Sequence, residues 1–194
     1  MNILWDFDGT LFDTYPAYAG IFSNVLNDEV SETEVYGKLK ISFSHAIDHY
    51  QLTKEQVDEL DRLKEKLDPT EFLPFDQVEE VLKWADKNVI MTHKDRMGVQ
   101  AVLAAYGWEP YFTELVTMDN GFPRKPDTAA YQYLHDKYNI DLVVGDRELD
   151  LLPAKALGIA TCMFQGNSEV ADYRLDHYRD FFDVISSEVR PRSD

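Results

Sequence analysis

The chain has one cysteine, Cys162, in 194 residues, which excludes an internal disulfide framework and any four-cysteine zinc site. Cys162 sits in the apolar run Ile159-Ala160-Thr161-Cys162-Met163-Phe164 and is expected to be a free, buried thiol. Basic residues are also scarce. The 19 Lys and Arg stand against 36 Asp and Glu, a formal charge of −17, and such a field repels the phosphate backbones that nucleic-acid binders attract. No nucleic-acid partner is expected. Long apolar runs are missing as well: the longest stretch without a charge, Thr14 to Asn27, is broken by Pro16 and Asn24. A bilayer crossing needs about 20 apolar residues, so no membrane span is expected. The opening residues, Met1-Asn2-Ile3-Leu4-Trp5-Asp6, have neither the basic start nor the apolar length of a secretory signal, and the cytosol is the expected compartment.

What is present is the material of a core. Hydrophobic residues make up 44% of the chain, with 11 Tyr, 11 Phe and 3 Trp, a composition of globular proteins and not of disordered ones. Short apolar runs at Ile3 to Trp5, Val89 to Met91, Leu115 to Val116, Leu142 to Val144 and Ile159 to Phe164 lack polar alternation, as parallel strands covered on both faces do. Segments of helical length separate the last four: Asp95 to Tyr106 before Gly107, Asp127 to Tyr138, and Leu149 to Leu157 before Gly158. Alternating strands and helices predict an α/β fold with a parallel sheet and helices on both faces.

More than 80 residues separate Trp5 from Val89, where a single helix would suffice. The insertion shows helical patterns only, for example Thr53-Lys54-Glu55-Gln56 as a capping box ahead of Val57, Leu60, Leu63 and Leu67. The expected organisation is an α/β core from residues 1–13 and 75–194 and a helical cap with its linkers over residues 14–74. Phe75 to Lys87 is expected to return to the core as a helix.

Chemistry-bearing residues fall at the ends of the expected strands, where parallel sheets place their ligands. The first strand runs into Asp6-Phe7-Asp8-Gly9-Thr10, with two carboxylates on one face of an extended chain and a glycine that permits a sharp turn. The second delivers the Thr92 hydroxyl. Lys125 precedes Pro126 ahead of a helix, and Gly145-Asp146-Arg147-Glu148-Leu149-Asp150 brings two more carboxylates. Carboxylates gathered this densely repel one another unless a hard divalent cation sits among them, and oxygen-only donors suit Mg²⁺ with a phosphate oxygen in its shell.

In these motifs the chain resembles the haloacid dehalogenase-like hydrolase superfamily: Asp6-Phe7-Asp8-Gly9-Thr10-Leu11, then Thr92, then Lys125-Pro126, then Gly145-Asp146 through Asp150. The resemblance implies a Rossmann-like core and, from the helical insertion after the first motif, the subgroup of phosphoglycolate phosphatase and β-phosphoglucomutase. It implies a Mg²⁺-dependent phosphatase acting on a small phosphomonoester through an aspartyl-phosphate. Asp6 would be the nucleophile and Asp8 the acid and base. Thr92 and Lys125 would hold phosphoryl oxygens. Asp6, Asp146 and the main-chain carbonyl of Asp8 would bind the metal, with Asp150 orienting Lys125 or a metal-bound water. Asp8 also speaks for phosphate chemistry over dehalogenation, because a halide leaves without a proton and an alkoxide does not.

The cap is expected to select the substrate, and Lys38, Lys40 and His45 are its candidate contacts; His45 and His49 have helical spacing but lack a zinc-protease pattern. Two rivals use similar residues. A β-phosphoglucomutase-like mutase would return the phosphate to another hydroxyl, and a phospho-accepting signalling domain would keep it, although such domains lack a long helical insertion.

Overall fold

The computed structural model describes residues 1–185, so residues 186–194 of the expected core segment lie outside the described residues. Two compact units emerge, one built from Met1–Phe12 with the described part of Pro74–Asp194, the other from Asp13–Leu73.

In the first unit a six-stranded sheet, parallel throughout, runs in the order β5-β4-β1-β6-β7-β8. Its strands are β1 (Asn2–Trp5), β4 (Lys87–Met91), β5 (Phe112–Val116), β6 (Leu142–Gly145), β7 (Ala160–Phe164) and β8 (Tyr173–Leu175). The short strands β2 (Phe12–Asp13) and β3 (Leu73–Pro74), where the chain passes between the units, pair with each other. Ile3, Leu4 and Trp5 are fully buried, the uninterrupted burial of a strand covered on both faces. On one face, Leu4, Val89, Met91 and Val143 pack with Ala130, Tyr131 and Leu134 of α7 (Ala129–Tyr138) and Leu151 and Ala154 of α8 (Glu148–Ala156). Elsewhere in this unit the Trp5 ring meets Tyr178 at 5.9 Å, and Phe181 of α9 (Phe181–Ile185) is buried. Helix α6 (Arg96–Tyr106) closes on Gly107 in the left-handed conformation, φ +67°, the C-terminal stop that glycine supplies.

Three expectations need correction. The helix expected over Phe75 to Lys87 shrinks to α5, Val78–Trp84: Gln77 before it is left-handed, Ala85 after it is extended, and the Asp86 N–H donates to the Met1 carbonyl at 2.9 Å, drawing Lys87 into the sheet opposite Asn2. Strand β5 begins at Phe112, ahead of the expected run Leu115 to Val116, and a register shift between Asn88 and Val89 carries the pairing past Thr113. The sixth strand, Tyr173-Arg174-Leu175, was not expected. It is an edge strand with only Leu175 buried, so it carries no apolar run.

The second unit is helical: α1 (Tyr15–Val25), α2 (Glu32–Leu39), α3 (Phe43–His49) and α4 (Lys54–Lys64). Thr53 and Gln56 make the expected capping box of α4. Phe22, Val35, Leu39, Ala46 and Leu60 are buried, and Phe43 stands edge-on to Tyr18 and Phe22, with ring centroids 5.4 Å away in each case.

Among buried polar groups of the sheet, Asn88 stands out. Its Oδ1 accepts from Trp5 Nε1 at 2.8 Å, while its Nδ2 donates to the carbonyls of Leu82 at 2.8 Å and Tyr111 at 3.3 Å. Replacing it by Ala strands a buried donor and two acceptors, so Asn88→Ala should destabilise by about 3 kcal/mol. Urea unfolding monitored by tryptophan fluorescence measures this, and a loss below about 1 kcal/mol would show that water takes over these bonds.

Candidate active site

Strand β1 stands where the strand order turns: the chain first builds outward through β4 and β5, then returns to place β6 on the other side of β1. Such a switch point leaves a crevice beyond the carboxyl ends of the strands. Asp6 follows β1 directly, and its N–H still donates to the Val144 carbonyl at 3.0 Å, so its backbone is held as firmly as the strand. The chain then turns within six residues. The Phe7 carbonyl accepts from Leu11 N–H at 3.0 Å, the Gly9 N–H donates to the Phe12 carbonyl at 2.8 Å, and Gly9 sits at φ +78°, which a side chain would resist. The Thr10 hydroxyl donates to Asp6 Oδ2 at 3.3 Å. From the far side, the buried Tyr178 hydroxyl donates to the Thr10 carbonyl at 2.8 Å. Asp8 is half-buried, and its Oδ1 is enclosed with no hydrogen-bond partner among the described residues.

Thr92 leaves β4 on the same edge, since Trp5 lies opposite Ile90. Its N–H donates to the Val116 carbonyl at 2.9 Å and its Oγ1 accepts from Lys94 N–H at 3.1 Å. Lys125 comes from the loop before α7, and its peptide bond to Pro126 is cis. Its main-chain N–H donates to His93 Nε2 at 3.1 Å. Its ammonium, buried, donates to Asp6 Oδ1 at 2.6 Å and Asp150 Oδ1 at 2.8 Å. Beyond β6, Gly145 lets α8 start hard against the strand: a Cβ there would meet the Asp150 Cβ at 2.4 Å. Asp150, fully buried, accepts the Arg147 N–H on Oδ2 at 3.1 Å, and its carbonyl accepts the Tyr131 hydroxyl at 2.9 Å.

Asp6, Asp146 and Asp150 each offer a carboxylate oxygen within 4.8 Å of the others; the Asp8 side chain is not in this group. Burial, followed by the Asp150 charge, pushes the Asp6 carboxyl up to about 7 despite Lys125 and Arg147. Burial also acts to raise Asp150, but Lys125, Arg147 and their hydrogen bonds carry it below the ordinary carboxylate range. Against the same burial, Asp150 and Asp6 raise Lys125, which therefore stays charged. The cluster thus holds more negative charge than its own cations neutralise, and its donors are all oxygen: the residues fit a hard divalent cation.

Asp6, Asp8, Thr92, Lys125, Asp146 and Asp150, the residues expected from the motifs, all emerge at this edge of the first unit. Thr10, Tyr131, His93 and Arg147 join them without having been expected there. Thr10 and Arg147 stand inside the motifs and His93 follows Thr92, and that position is the available signal; Tyr131 is one of several aromatic residues of α7 and carries none. Lys38, Lys40 and His45 lie in the helical unit. Lys38 is in the last turn of α2, the Lys40 ammonium lies 4.8 Å over the Tyr15 ring, and the His45 ring stacks on His49 at 6.0 Å. Burial raises Asp13 in that unit, and Lys40 opposes the rise.

A pH dependence follows from Asp6. A carboxyl whose folded pKa is about 7 against 3.8 in a free side chain binds its proton more tightly when folded, so it favours folding below about pH 4 and loses that contribution as pH rises to about 7. Asp6→Asn should therefore stabilise the metal-free protein at pH 8, by roughly 2–4 kcal/mol, and change it little at pH 4.5. Chemical unfolding in chelator at both pH values checks this; a gain equal at both would assign it to packing.

The haloacid dehalogenase-like hydrolase family model matches residues 3–164. A phosphoglycolate phosphatase of Psychrobacter arcticus is 23% identical, over 96% of this chain and 93% of its own. Among solved structures, a hydrolase from Streptococcus pneumoniae is 27% identical with a TM-score of 0.66, over 85% of this chain and 92% of its own. A predicted phosphoglycolate phosphatase from Haemophilus somnus is 23% identical with a TM-score of 0.75, over 93% and 96%. With the family match spanning both the strand-end aspartates and the lysine between them, the chain belongs to the haloacid dehalogenase-like hydrolases and is an enzyme of that family.

Proposed function

We propose that the chain is a Mg²⁺-dependent phosphatase that hydrolyses a small phosphorylated metabolite through a phosphorylated Asp6, as a phosphoglycolate-phosphatase-like enzyme would. The observation that carries this reading is the buried Lys125 ammonium joining Asp6 to Asp150 at the edge of the sheet, with Asp146 within ligand reach. Asp6 attacks phosphorus; as its Oδ–P bond forms, the ester P–O bond breaks and the leaving alkoxide takes a proton from Asp8. Asp8 Oδ1 has no hydrogen-bond partner among the described residues, which supports this assignment by leaving its accepting capacity unspent. Water then attacks the phosphorus, Asp8 takes its proton, and the P–O bond to Asp6 breaks to return the carboxylate and inorganic phosphate. Thr92 and Lys125 hold phosphoryl oxygens, and Asp150 fixes Lys125. Asp6, Asp146 and the main-chain carbonyl of Asp8 would hold Mg²⁺. When bound, the ion offsets negative charge on the phosphoryl group and on the carboxylate that attacks it. Lys38, Lys40 and His45 are assigned to substrate choice.

Asp6→Asn should lower phosphate release from small phosphomonoesters by about a thousandfold or more, and chelator should do the same to the wild type until Mg²⁺ is restored. Retention of about a tenth of the turnover in either case would remove covalent, metal-assisted catalysis. Asp8→Ala should slow the first step far more for an alkyl than for an aryl phosphate, since a good leaving group scarcely needs a proton, and phosphoenzyme should accumulate. Acid-quenched labelling reads both; equal losses without trapped phosphoenzyme would take Asp8 out of proton transfer.

A further inference from the structure

Arg147 stands between Asp146, which ends the β6 connection, and the helix that carries Asp150. Its side chain is 23% exposed, with Nε 3.7 Å from Asp146 Oδ1 and 3.6 Å from Asp150 Oδ2. Lys125 holds the Oδ1 atoms of Asp6 and Asp150, so Arg147 addresses the other side of the same cluster. These separations exceed a hydrogen bond. At these separations Nε places the positive charge of the guanidinium beside both carboxylates.

We propose that Arg147 is a built-in counter-ion that weakens divalent-cation binding at the site of Asp6 and Asp146. The inference rests on the metal site of the proposed function. A divalent ion held by Asp146 would share that carboxylate with a positive charge whose Nε lies 3.7 Å from Oδ1. That charge already lowers the carboxyls of both Asp6 and Asp150, so its reach covers the cluster. Partial exposure moderates the repulsion, because solvent screens the pair. The net effect expected is about tenfold in affinity. Arg147 thus lets the carboxylates coexist before the ion arrives and keeps the bound ion exchangeable.

The test is thermal unfolding of the full chain against MgCl₂ at fixed total ionic strength, from which an apparent dissociation constant follows without any assay of turnover. Arg147→Gln, which removes the charge and leaves the main-chain N–H to Asp150 in place, should bind Mg²⁺ about tenfold more tightly than wild type. Arg147→Lys, which keeps the charge, should stay near wild type, and about 0.5 M salt should narrow the gap between Gln and wild type. Equal or weaker binding by Arg147→Gln, with clear binding by wild type, overturns the part given to Arg147 alone. Tightening by Arg147→Lys as large as that by Arg147→Gln also overturns it, because charge would not be the cause. Absence of any Mg²⁺-dependent stabilisation in wild type and both variants overturns the metal site itself.

Discussion

A lysine ammonium buried beside two aspartates is the constraint on which the site depends. Lys125 has 2% of its side chain exposed, and the carboxylates it touches have 3% and none. Removing three charges from water costs several kcal/mol each, and only close geometry with further hydrogen bonds offsets that cost. The surrounding structure supplies those bonds. Asp6 is fixed through its backbone to β6 and through its side chain to Thr10, Asp150 through the Arg147 N–H, and the Lys125 backbone through His93. Hydrophobic residues of similar volume would fill this space at less cost, so the presence of the three charges at the open end of the sheet is an argument for chemistry over stability.

The sheet makes that arrangement possible. Asp6, Thr92 and Asp146 each sit just beyond the last residue of a strand, and ladder hydrogen bonds carry on past the strands to the main chains of Asp6 and Thr92. Rigid backbone at the point of attachment is what a constellation of charges requires, since a shift of about 1 Å in one of them would change every pairwise energy. Gly9 and Gly145 serve the same end in different ways, one by a left-handed turn and the other by yielding the space that Asp150 occupies. Both glycines stand beside the carboxylates they serve.

Much of this was legible in the chain. Apolar runs marked β1, β4, β6 and β7 because those strands are buried on both faces, and the residues following them marked the site. Legibility failed where burial was one-sided or backbone geometry ruled. The edge strand β8 has a single buried residue, and β5 tolerates Thr113 and Glu114 because it is the opposite edge. The short α5 is bounded by a left-handed Gln77, a residue with no compositional mark of a turn. Within the site, residue types and order announced the carboxylates and the lysine, but the contact of Tyr131 is three-dimensional. The Tyr131 hydroxyl reaches the carbonyl of a residue 19 positions on, and no local pattern records such a contact.

One consequence of the charge distribution reconciles the acidity of the chain with an anionic substrate. A formal charge of −17 repels a phosphate ester at long range, yet salt confines that repulsion to about 8–10 Å. Inside that distance individual charges act, and those acting on His93 are mostly positive. Burial, then the positive charges of Lys125, Arg124 and Arg147, hold its imidazole down at about 4, and Asp150 is the opposing influence. A neutral His93 is also what its contact with the Lys125 N–H demands, since Nε2 must accept. Burial and the cations at this edge of the sheet therefore keep the imidazole unprotonated, so that it can anchor the backbone of the lysine at their centre.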